Sequence, residues 1–134
     1  MEYLIGVGVA VVVCGFAARS GFERDRVFYP TLLIVVATYY ILFAAMGSST
    51  PALALESVTA GGFLALAVAG FKKSLWLIAG GLAGHGVFDL FHHRLIQNPG
   101  VPAWWPGFCM SFDVLAGAIL AVLLKRRSGF ASTG

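Results

Sequence analysis

Long apolar stretches alternate with short polar ones along the whole chain. Five of them, residues 3–18, 27–46, 51–70, 74–93 and 106–124, approach the roughly 20 mainly apolar residues that a helix needs to cross a bilayer core. The pattern predicts an all-α integral membrane bundle of about five transmembrane helices, forming a single domain over 1–134. The first and last segments are the shortest. The third carries Glu56 and the Gly61-Gly62 pair, so a four-span alternative would make it re-entrant. Breakers support the limits: Thr50-Pro51 reads as an N-cap followed by proline at the first helical position, and Trp105-Pro106-Gly107 prepares another start. Pro30 falls in the first turn of the second span, where its missing N–H costs little. The small, polar stretch 128–134 is expected to fray.

Charge adds an orientation. Arg19, Arg24 and Arg26 separate spans one and two, Lys72 and Lys73 separate three and four, and Lys125, Arg126 and Arg127 follow span five. With five spans these segments share one side, which the positive-inside rule makes cytoplasmic. The N-terminus is then outside and the C-terminus cytoplasmic, with Arg94 alone against the pattern. Trp104 and Trp105 become anchors at the outer interface. Met1-Glu2-Tyr3 lacks the positive region and cleavage site of a signal peptide, so the first span is expected to be retained.

Composition agrees. Of 134 residues 59% are hydrophobic and 11% charged, and the mean hydropathy is +0.87, far from the balance of soluble domains. A multi-pass protein of the bacterial inner membrane is the expected setting, with the lipid bilayer as its first partner. So small a bundle also suits self-association or a membrane-protein partner. The net charge of +3 comes from topology signals rather than a basic face with exposed aromatics, which argues against nucleic acid. Cys14 and Cys109 are too far apart in sequence to suggest a disulfide framework.

The chemistry concentrates in GHGVFDLFHH, 84–93, which holds all three histidines and an aspartate. Glu56, Asp89 and Asp113 lie inside predicted spans, where an ionisable group is costly and marks a functional site by default. At about 1.5 Å of rise per residue, Glu56, His85, Asp89 and Asp113 all fall roughly 6–12 Å below the outer ends of their helices. His85, Asp89 and His92 line one helical face, while His93 points elsewhere. Cys109 and Asp113 are again one turn apart.

Imidazole and carboxylate donors converging from several helices are what bundles use to hold Zn or Fe. The expected ligands are His85, Asp89 and His92. Glu56 and Asp113 are the catalytic candidates, as general base on a metal-bound water or as a further ligand. Cys109 reads first as a small apolar filler, with a metal ligand as the alternative, and Tyr39 and Tyr40 as packing or belt residues that could instead donate hydrogen bonds into the site. The loop 98–106 reads as a tight connection, with a lid over the site as the alternative. Gly80-x3-Gly84 is a weak signal of close helix packing.

The histidine and aspartate set is similar to that of membrane metal hydrolases of the alkaline ceramidase type, whose zinc is held by histidines and an aspartate within a bundle. Here Asp89 stands where an H-x3-H pair would place its second histidine. The leading expectation is a metal-dependent membrane hydrolase acting on a lipid or other apolar substrate. The alternatives are a proton- or cation-coupled carrier or channel subunit, using Glu56, Asp89 and Asp113, and a non-catalytic subunit whose polar residues face a partner.

Overall fold

The computed structural model describes residues 1–132, and among them it contains helices and no strands. The helices are α1 (Glu2–Ser20), α2 (Phe28–Met46), α3 (Thr50–Lys72), α4 (Leu75–Leu95) and α5 (Trp105–Ser132), with a short 3-10 turn at Phe22–Arg24. Each coincides with one of the five apolar segments.

Local chemistry sets the ends. Gly21, at φ 85°, takes the left-handed conformation that closes α1. The Ser49 hydroxyl accepts from the Ala52 N–H at 3.3 Å, so the cap of α3 is Ser49, one residue before the expected Thr50. Ser74 caps α4 in the same way, accepting from the Trp76 N–H at 3.3 Å. Past its expected end, α5 continues helical to Ser132, so the fraying anticipated from Ser128 is not found. Thr133 and Gly134 lie outside the described residues.

Four helices, α1, α2, α3 and α5, are long and apolar enough to cross a membrane. The third segment, the suspected re-entrant one, is a continuous helix of 23 residues. The exception is α4, which has 21 residues and hence roughly 31 Å of length. Its His85, Asp89, His92, His93 and Arg94 lower its mean hydropathy.

Of these, His85, Asp89 and His92 are buried by neighbours, while His93 and Arg94 are exposed. α4 packs most extensively on α5 and also contacts α3 and α2; α2 packs on α3, and α1 packs on α5 rather than on α2. Leu33, Ile78, Leu82, Ala116 and Leu120 fill the centre, while Leu4, Met46 and Val58 are exposed, as suits spans surrounded by lipid tails. The close α4–α5 approach depends on Gly86 and Gly117. A Cβ on Gly86 would lie 2.8 Å from Val114 Cγ2 and 3.1 Å from the Met110 carbonyl oxygen; one on Gly117 would lie 2.9 Å from the Ala79 carbonyl oxygen. The expected Gly80 and Gly84 pair has open space instead.

At the end rich in basic residues, the Arg26 guanidinium donates to the Phe71 carbonyl at 2.9 and 3.1 Å, and Arg127 donates to the Glu23 carbonyl at 3.0 Å. Orphan carbonyls at the end of α3 are satisfied there by a cation that also complements the helix dipole.

Candidate metal centre

α4 presents His85, Asp89 and His92 on one stripe, and all three are at most 2% exposed. Phase and depth differ in their consequences. Seven residues bring His92 back to the face of His85 but about 10.5 Å along the axis, whereas two donors on one ion lie within roughly 4 Å of each other. The stripe therefore serves two sites, each completed by a different neighbouring helix.

Near the middle of α4, His85 Nδ1 lies 2.5 Å from Asp113 Oδ2 of α5 and 3.5 Å from Asp89 Oδ2. The Cys109 thiol, one turn before Asp113, donates to Asp113 Oδ2 at 3.7 Å. One donor atom from each of His85, Asp89, Cys109 and Asp113 falls within 4.8 Å of all the others. On a tetrahedral ion with bonds of about 2.0–2.3 Å, such atoms stand roughly 3.3–3.8 Å apart. The set is thus about 1 Å wider than a filled site, a difference within reach of side-chain torsions.

Two further observations fit a cation here. Asp113 Oδ1 is buried without a hydrogen-bond partner, and Asp89 Oδ2 is buried with no hydrogen bond and only its 3.5 Å ion-pair contact with His85, although a buried carboxylate oxygen without a hydrogen bond is costly. The cluster also sets two carboxylates and a thiol against a single imidazole, an acid excess that a divalent ion would offset. An N, O, O, S donor set suits Zn or Fe better than Mg or Ca, which take oxygen alone.

Tyr40 of α2 donates its hydroxyl to Asp89 Oδ1 at 2.6 Å, holding that carboxylate so that Oδ2 faces His85. Of the two roles the sequence offered it, packing and hydrogen bonding into the site, Tyr40 has the second as well as the first, and it orients Asp89. Phe63 of α3 closes another side, its ring edge-on to the His85 imidazole at 4.7 Å.

Towards the far end of α4, His92 Nε2 lies 2.6 Å from Glu56 Oε1 of α3. The same oxygen accepts from Asn98 Nδ2 at 2.9 Å, and Asn98 also donates to the Tyr40 carbonyl at 3.1 Å. The His92 ring stacks on Tyr40 at 4.0 Å. This second cluster forms part of the floor of a cavity of about 440 Å³ beneath the α4–α5 loop, which His93, Gln97 and Pro102 also line.

Of the residues expected to share one site, the structure brings His85, Asp89 and Asp113 together and does not bring His92 or Glu56 to them. Cys109 joins the set instead of merely filling space. The sequence signals for the additions were slight: Cys109 lies one turn from Asp113, and Tyr40 lies at the depth of Asp89. Asn98 carried no signal beyond its place in a turn-rich loop. No protein-family model matches the chain, and neither does any curated protein or solved structure.

Proposed function

We propose that the chain is a metal-dependent membrane enzyme, a hydrolase acting on a lipid or other apolar substrate, with Zn or Fe held by His85, Asp89, Asp113 and Cys109. The observation that carries this reading is the pair of buried carboxylate oxygens without a hydrogen bond, Asp89 Oδ2 and Asp113 Oδ1, within a buried four-donor set. The charged loops support an orientation in which this centre lies beneath the outer, periplasmic face of a bacterial inner membrane.

When bound, the metal would supply Lewis acidity and lower the pKa of a water. Asp113 keeps Oδ2 on His85, so Oδ1, which has no hydrogen-bond partner, would be the oxygen that holds the metal. Tyr40 holds Asp89 in place. Hydrolysis of an ester then adds water across the acyl carbon–oxygen bond and yields a carboxylic acid and an alcohol.

Burial supports this reading over a partner-facing subunit, since Glu56, His85, Asp89, His92 and Asp113 are buried within the bundle. It also supports it over a carrier. The buried carboxylates and imidazoles among the described residues are Glu56, His85, Asp89, His92 and Asp113, and none of them continues the path towards the basic end.

The test is metal content by plasma mass spectrometry on detergent-purified protein, for wild type, His85→Ala and Asp89→Ala at matched folding. Near-stoichiometric Zn or Fe, lost in both variants, is expected. A well-folded wild type without metal would overturn the proposal.

A further inference from the structure

A second cavity, of about 380 Å³, lies between α1 and α2 and is backed by α5. It exists because these two helices, although consecutive, do not pack on each other: α1 leans on α5. Val9 and Val13 of α1, Leu32 and Val36 of α2, and Phe112 of α5 give it apolar walls. Its volume lies in the range of small-molecule sites, and within membrane-spanning helices its open side faces lipid tails.

Two features separate it from an ordinary lipid-facing crevice. Cys109 belongs both to its lining and to the four-donor set, so the groove ends at the candidate metal centre. Trp105, which also lines it, has a buried indole N–H with no hydrogen-bond partner. That group can only donate, so the missing partner is an acceptor. Trp105 and Cys109 are one helical turn apart, about 6 Å along α5.

We infer that this groove is the lateral entry for the substrate, the acyl chain of an ester-linked membrane lipid, with its carbonyl oxygen accepting from the Trp105 indole N–H beside Cys109. The inference rests on the hydrolase reading above and names its substrate class. Trp105 is a positioning residue: it fixes the depth of the carbonyl, and the apolar walls take the chain. An ester carbonyl is the acceptor that such a molecule carries at the head of its hydrocarbon.

The experiment compares ester-linked with ether-linked phosphatidylcholine, which differ in that carbonyl. Full-length protein is reconstituted in vesicles holding equal amounts of both, extracted in detergent and washed, and the retained lipid is quantified by mass spectrometry, with any lysolipid and fatty acid formed counted as the ester form. Wild type is expected to retain the ester form by about fivefold, the effect of one hydrogen bond to a neutral acceptor. Trp105→Phe, which keeps a ring and removes the N–H, should bring the ratio to about one. Val13→Phe, which fills the groove, should reduce retention of both lipids.

A wild-type ratio near one, or a preference unchanged in Trp105→Phe, overturns the inference. So does full retention of both lipids in Val13→Phe. Metal content measured on the same preparations separates the two proposals: metal-loaded protein without ester preference defeats this one alone, and metal-free protein with the preference defeats the hydrolase reading alone.

Discussion

α4 carries two buried polar clusters, alike in residue type and burial and opposite in how well they are satisfied. Against α3, Glu56, His92 and Asn98 form a closed set in which no buried side-chain atom lacks a partner. Against α5, His85, Asp89, Cys109 and Asp113 leave two carboxylate oxygens without a hydrogen bond. The difference teaches what to look for in an apolar bundle: a polar cluster that satisfies itself stabilises the fold, and one that does not points to a missing ligand. Residue type alone would have ranked them equal.

Removing a donor from the open cluster should have the largest effect, and on metal alone. Asp113→Asn is expected to abolish stoichiometric metal binding while leaving the thermal transition of the metal-free protein little changed; retained metal would remove Asp113 from the site. His92→Ala should do the reverse. Leaving the Glu56 carboxylate buried without its imidazole costs about 3–5 kcal/mol, read as a large loss of thermal stability in detergent, with the metal content per folded chain preserved. Loss of metal there would merge the two clusters into one site.

Intermediate effects sharpen the boundary. Tyr40→Phe removes the hydroxyl from Asp89 and should weaken metal affinity by about tenfold to a hundredfold, as loss of an orienting partner does, measured by chelator competition. Gly86→Ala brings a methyl within 2.8 Å of Val114 Cγ2. Forcing the α4–α5 seam apart should cost about 1–3 kcal/mol and loosen the open cluster more than the closed one. The smallest effect belongs to Arg26→Ala at the basic end, where the loss of a helix-terminal cation costs about 0.3–1 kcal/mol and should alter neither metal content nor lipid retention.

The helices were legible because apolar runs of spanning length, separated by Thr50-Pro51 and Trp105-Pro106, leave few other solutions. The stripe on α4 was legible too, because helical phase follows from spacing. Axial distance follows from the same spacing, and it separates His85 from His92. The partner helix of each histidine was not legible. α4 meets α3 on one side and α5 on the other, and helices that are apolar nearly all round carry no pattern telling which neighbour each face meets. Gly86 and Gly117 escaped for the same reason: a glycine shows that close approach is tolerated but not what approaches. Cys109 resembles an apolar filler in any span, and only the position of His85 beside it makes it a donor.

All four donors of the open cluster come from α4 and α5, two helices joined by one loop, within residues 85–113. The centre is therefore local to a single hairpin, although it lies at the heart of a five-helix bundle. During synthesis that hairpin follows α1, α2 and α3 out of the ribosome, and its acidic pair has a single imidazole, that of His85, to offset it. On the proposed reading, metal capture is then the last step of assembly, and starving cells of metal should leave α4 hesitating at the translocon, a defect of biogenesis before it is one of catalysis.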